Sequence, residues 1–192
     1  MAAPRTVDKW KSKKWYSVIA PDIFKNVILG DTVAANSRII PGRIVEANLS
    51  DVVAGYDSRR PTKKLRFKIK DVQGEKANTL FLGHRLHNEF ERGLARKNSS
   101  KVYSNDVLST SDGKKIRLKG VLVTTSPVNQ AIKQDMRVKY QEIIKKEASS
   151  KKRDEFIHFI LSGKLSGKLR SEIKSIASLK HALIQKTELI AE

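Results

Sequence analysis

Two stretches of this chain place cations at every second position. Lys63 to Lys70 reads Lys-Lys-Leu-Arg-Phe-Lys-Ile-Lys, so Lys64, Arg66, Lys68 and Lys70 alternate with Leu65, Phe67 and Ile69. Successive strand side chains point to opposite faces, which gives one apolar face for a core and one face of four like charges. Like charges aligned on a sheet face repel. The chemistry such a face invites is neutralisation by a polyanion, RNA or DNA above all. Lys114 to Lys119 repeats the pattern, with Lys115, Arg117 and Lys119 opposite Ile116 and Leu118. A merely solvated face is the ordinary explanation of one such run, and the repetition weakens it. Near the start, Lys9, Lys11, Lys13 and Lys14 interleave with Trp10, Trp15 and Tyr16. Cations beside flat rings hold phosphates and stack on bases, although Trp15 is equally suited to anchoring a core. Arg43, Arg59, Arg60, Lys63 and the basic loop Lys151, Lys152 and Arg153 complete the candidate RNA-binding set.

Signals for catalysis are poor. Ser162-Gly-Lys-Leu-Ser-Gly-Lys-Leu169 superficially resembles a phosphate-binding loop. Its glycines are one residue too close, Leu169 stands where a metal-binding hydroxyl belongs, and no strand precedes it, so a helix break explains it better. His84 and His87 would need a third ligand to hold a metal, and nothing pairs two carboxylates in a cleft. No metal, cofactor or catalytic residue is assigned. Two other classes compete with a structural RNA binder: an RNA-modifying or RNA-cleaving enzyme built on the two histidines, and a nucleic-acid-coating protein resting on charge alone.

The elements that must position these cations are strands first and helices after. Val27–Leu29, Ile39–Leu49, Lys63–Val72, Thr79–Leu82, Val102–Thr110 and Lys114–Thr124 read as strands between turn-forming residues. Asp112-Gly113 predicts a two-residue hairpin that sets Val107 opposite Leu118 and Ser109 opposite Ile116. One helix is expected from Leu86 to Arg96. After Thr125 the apolar period lengthens: Ser126-Pro127 predicts a helix start, with Val128, Ile132, Met136, Tyr140 and Ile143 on one face to about residue 147. Further helices are expected at 152–162, closed by Gly163, and at 166–177, with a mixed pattern at 182–190 that can return as a strand. The division is a basic segment over 1–20, a β-rich RNA-binding core over 21–126, and a helical region over 127–192 packing on that core. The fold class is α+β.

Composition bounds the function. The 192 residues hold 39 Lys and Arg against 20 Asp and Glu, a net charge of +19 that is spread along the chain and not confined to a tail. A distributed excess fits a protein embedded in nucleic acid. The absence of cysteine excludes disulfides and thiolate chemistry. No apolar run spans a bilayer and no apolar signal core opens the chain, so the expectation is an intracellular protein without a membrane partner.

The string Ile40-Pro-Gly-Arg-Ile-Val-Glu-Ala-Asn-Leu-Ser-Asp51 resembles the signature of a small-subunit ribosomal protein family, S-one-e or S-three-a, of archaea and eukaryotes. Lys14-Trp15-Tyr16, Lys68 to Gly74, Thr110-Ser-Asp-Gly113 with Arg117-Leu118, and Ser175-Ile176 with Leu179 and Lys186 follow in the family's order. Val52 stands where Leu is usual, and Ala177-Ser178 replaces a common Tyr-Pro. The long basic tails of eukaryotic members are missing, which favours an archaeal source. The resemblance implies a barrel-like antiparallel core with about three C-terminal helices. It also implies a cytoplasmic, ribosome-associated protein on the platform of the small subunit near the messenger exit. Its partners would be small-subunit ribosomal RNA, neighbouring ribosomal proteins and messenger RNA at the exit.

Overall fold

The computed structural model describes residues 10, 13–53, 63–94 and 96–190. Of the candidate cations, Lys9, Lys11, Arg59 and Arg60 lie outside the described residues. The chain is α+β and gathers into two units. One holds the described residues up to Val53 together with Leu65–Leu82; the other holds Lys63, Lys64 and the residues from Gly83 onward. Residue 126 lies inside the second unit, where a strand, Leu179–Leu189, follows the helices.

In the first unit, strand β1 (Lys14–Ile19) pairs antiparallel with β2 (Ile28–Ala34), and the intervening turn carries Lys25 and Asn26 in the left-handed region. Strand β3 (Ile44–Asn48) leads into one helical turn, α1 (Leu49–Val52). β4 (Lys63–Gln73) turns at Gly74, φ +63°, into β5 (Lys76–Leu86). β4 pairs with β3 and β5, while β5 runs parallel to β1. Leu65, Phe67 and Ile69 are buried, as their alternation requires. Phe67 meets Phe24 edge-on at 5.5 Å and Phe81 at 5.7 Å, and Phe24 and Phe81 lie 5.2 Å apart, an aromatic triad inside van der Waals range. Strand β1 had no clean period in the sequence because Trp15 points outward where a core residue is normal.

In the second unit β5 continues to Leu86, one turn of helix α2 (Asn88–Gly93) follows, and the order is β5-β8-β7-β6. Strands β6 (Lys101–Ser109), β7 (Lys115–Thr124) and β8 (Leu179–Leu189) are all antiparallel. The sheet is mixed, with the β1–β5 pair parallel, and among the described residues it is not closed. Helices α3 (Gln130–Ser150), α4 (Arg153–Leu161) and α5 (Lys164–Ile173) bury Met136, Tyr140, Ile144, Phe156, Ile160, Leu165, Leu169 and Ile173 in one cluster with Leu108, Ile116, Leu118 and Ile184.

Three expectations are corrected. The β6–β7 connection spans three residues, not two: the Thr110 N–H donates to the Lys114 carbonyl, with Gly113 left-handed at φ +74°. This sets Val107 opposite Arg117 and Leu108 opposite Ile116, one residue from the expected register. Helix α3 begins at Gln130, because the Ser126 carbonyl accepts the Thr124 hydroxyl and the Val128 N–H donates to Ser100 Oγ, holding 126–128 out of the helix. Leu86 ends a strand instead of opening a helix; it still meets Leu94 in a small cluster with Val121 and Val123. Gly163 is left-handed, φ +79°, between α4 and α5, so it marks a helix break, while Gly167 lies inside α5.

Gly120 makes the second core possible. A Cβ there would fall 1.8 Å from Tyr140 Oη, inside the space the buried phenol occupies against β7. Gly120→Ala should therefore cost about 1–3 kcal/mol in urea unfolding, and much of that cost should vanish in a Tyr140→Leu background, since the two changes share one space.

Candidate nucleic-acid interface

The basic positions fall into three groups once their partners are known. The first is structural. Lys63, on the core side of β4's alternation, is only 7% exposed, and its ammonium donates to the carbonyls of Ile160 (3.2 Å) and Leu161 (2.9 Å) at the end of α4. It adds a charged donor at a helix C-terminus, where the Ile160 carbonyl also takes the Gly163 N–H, and burial lowers its pKa to about 8. Lys63 is thus withdrawn from the phosphate-facing set. Arg43 donates through one guanidinium nitrogen to Thr32 Oγ1 and the Val33 carbonyl, both at 2.9 Å. Its own backbone carbonyl takes the Ile69 N–H, and Gly42, at φ +92°, donates to the Ile69 carbonyl. The string around residue 42 therefore clamps β4, with Ile40 buried in the same cluster as Ile69 and Asp51 accepting from Asn48 and Ser50.

The second group carries internal counterions. Arg66 faces Glu46 at 3.4 Å, and Arg117 faces Glu188 at 3.7 Å. Glu188 also takes Lys186, whose hydrogen bond chiefly holds its carboxyl below the usual range. Glu147 is shared by Lys151 and Lys168, and their hydrogen bonds lower its pKa in the same way. Lys151 also lies 4.3 Å over the Phe159 ring, and Arg153 pairs with Asp154 at 2.8 Å.

The third group has no acidic partner within 4 Å among the described residues. It comprises Lys14, Lys64, Lys68, Lys70, Lys114, Lys115, Lys119 and Lys152. Lys68 and Lys70 are exposed on β4, directly across the strand from the buried Leu65, Phe67 and Ile69. On β7, Lys115 projects opposite the buried Ile116 and Leu118. The tip of the β6–β7 hairpin is tied to the α3–α4 loop: the Ser111 N–H donates to the Lys151 carbonyl, and the Arg153 N–H donates to Asp112 Oδ2 at 2.9 Å. Lys114 and Lys152, nearly 40 positions apart in sequence, consequently share one end of the second unit. Trp15 is 64% exposed, beside exposed Lys13 and Lys14, so it is a surface ring and not a core anchor; Lys13 sits 4.4 Å over the Trp10 ring. Sequence reading missed Arg170, Lys174 and Lys180, which line one cleft with Thr125, Ser178 and Leu179. Three different elements bring them together, and no local pattern announces them.

His84 serves the fold. His84 is buried, its Nδ1 2.8 Å from the Thr187 hydroxyl, which also takes the His84 backbone N–H at 3.0 Å. Burial, with the Lys63 charge adding, lowers its pKa to about 3. Among the described residues no cluster of His, Asp and Glu is arranged to hold a metal ion.

A basic α+β chain whose unneutralised cations stand on strand faces backed by core is suited to a polyanionic partner. The sequence profile described as the Ribosomal S3Ae family matches residues 2–192. The "Small ribosomal subunit protein eS1" of Saccharolobus islandicus is 38% identical over 183 residues, 95% of this chain and 87% of that protein. The proteins of that name from Saccharolobus solfataricus, 37% identical with the same coverage, and Sulfurisphaera tokodaii, 34% identical over 94% of its length, are similar too. The chain belongs to the Ribosomal S3Ae family, a family of structural ribosomal proteins and not of enzymes.

The neutral, buried His84 makes stability pH-dependent. The unfolded chain binds this proton near pH 6.5 and the folded chain only near 3, so stability falls as pH drops from about 6.5 towards 3, at up to about 1.4 kcal/mol per unit from this group. Urea unfolding at pH 7 and pH 5 should show that loss, and His84→Gln should flatten it; parallel profiles for the two proteins would refute the assignment.

Proposed function

We propose that the chain is a structural constituent of the small ribosomal subunit that binds ribosomal RNA through the unpaired cations of its strand faces. The main support is that Lys68 and Lys70 stand outward on a strand whose opposite face, Leu65, Phe67 and Ile69, is buried in the core. Their charges have no use in the fold, and a phosphate backbone supplies what the chain lacks. Lys64, Lys115, Lys119, Lys114 and Lys152 extend the same role, and Trp15 with Lys13 and Lys14 offers a ring for an unpaired base. Arg66, Arg117, Lys151 and Arg153 contribute with their carboxylate partners beside them, where a guanidinium can grip a phosphate with its remaining donors. Binding of this kind positions the protein on folded RNA without reading sequence. The family relationship supports placement in the cytoplasm, on the ribosome, among neighbouring ribosomal proteins. A site on the platform beside the messenger exit, with messenger RNA as an additional contact, belongs to the same proposal.

Replacing Lys64, Lys68 and Lys70 together by glutamine tests it. The variant should fold normally and lose affinity for small-subunit ribosomal RNA, with the slope of log affinity against log salt shallower by roughly 2–3 units. An unchanged slope would make this face a solvated surface. Phe67→Ala, on the same strand, should instead lose about 3–5 kcal/mol of stability, measured by denaturant unfolding.

A further inference from the structure

Arg170 near the end of α5, Lys174 just beyond it, and Lys180 at the start of β8 surround a cleft of about 380 Å³ whose remaining lining is Thr125, Ser178 and Leu179. The three cations come from positions that no single element dictates. Cations near a helix C-terminus are often explained by the helix dipole, but that accounts for Arg170 and Lys174 and not for Lys180. More telling is the contrast with their neighbours. Lys168 on the same helix is held by Glu147 and Glu172, and Lys186 on the same strand by Glu188. Arg170, Lys174 and Lys180 have no carboxylate within 4 Å among the described residues. Their fields are felt locally: His181 is held below the usual histidine range by burial, with the charges of Lys180 and Arg170 adding. The Thr125 hydroxyl donates to the Ser178 carbonyl, which ties two of the lining residues together, and Ser178 is exposed.

We infer that this cleft is a phosphate site that holds one backbone phosphate of ribosomal RNA, with the Arg170 fork and the Lys174 and Lys180 ammonium groups as its donors. The inference rests on the RNA-binding role proposed above and adds a contact remote in sequence from both alternating strands. An RNA phosphate suits the cleft better than a protein partner. Protein interfaces are built around apolar anchors, and the one apolar residue here, Leu179, is buried.

The test uses the full chain and the triple variant Arg170→Gln, Lys174→Gln, Lys180→Gln. An anion in the cleft would offset the charges that depress His181, so its imidazole titration, followed by NMR, should move to higher pH when a structured fragment of small-subunit ribosomal RNA is added. Inorganic phosphate at millimolar concentration should move it in the same direction, and neither should do so in the triple variant. The variant should also show a salt slope for RNA binding shallower by roughly 1 unit. A His181 response to inorganic phosphate but not to RNA would make the cleft a free-anion site and overturn the inference. So would a response confined to an acidic peptide such as polyglutamate. An unaltered salt slope in the triple variant, with the strand variant still impaired, would overturn it while leaving the RNA-binding role standing; loss of salt dependence in neither variant would overturn both.

Discussion

The organising constraint of this molecule is a shortage of internal counterions. With 39 cationic side chains and 20 acidic ones, complete self-neutralisation is arithmetically impossible, and where the carboxylates are spent decides which cations remain available. Glu147 and Glu188 each take more than one cation, and Glu46 takes Arg66. These pairs are mostly half-exposed, where an isolated pair contributes about 0–1 kcal/mol. Their larger effect is to fix side-chain positions beside the sheet. The cations left over concentrate on strand faces, at a hairpin tip and around one cleft. Self-repulsion there destabilises the free protein slightly, and a bound polyanion would relieve it.

Several residues of the string that marks the family serve the scaffold. Gly42 occupies a positive-φ turn, Ile40 fills the first unit's core, and Arg43 joins β2 to the segment that clamps β4. Arginine's planar, pre-set fork suits that last task, with one terminal nitrogen reaching a hydroxyl and a carbonyl together. A recognisable string can therefore identify a family partly through its scaffold, while the proposed binding chemistry sits on less distinctive lysines.

That distinction explains what was legible from the chain alone. Period-two alternation placed the faces of β4 and β7 correctly, because burying Leu65, Phe67, Ile69, Ile116 and Leu118 leaves their neighbours no other direction. The same alternation put Lys63 on the core side, but its reason for being there, the carbonyls at the end of α4, lies nearly 100 residues away and leaves no local trace. The hairpin register slipped by one because Asp112 and Gly113 permit two- and three-residue turns alike. The Thr110–Lys114 bond and the use of Asp112 by Arg153 decide between them. Trp15 was ambiguous in principle, since an exposed ring and a buried one have the same spelling. The Arg170, Lys174 and Lys180 cleft was invisible because proximity there is created by chain reversal.

Strand β8 carries a consequence for how the protein is made. It pairs with both β5 and β7, yet it follows β6, β7 and all three helices in the chain. During synthesis the second unit therefore exists for a time with the flanks of two strands open, its helices formed but lacking the strand that supplies Ala182 and Ile184 to their common core. Such open edges invite pairing with other chains, and closing them requires contacts of long sequence separation, which form slowly. A nascent protein of this design gains from meeting its binding partner late, after the closing strand has been delivered.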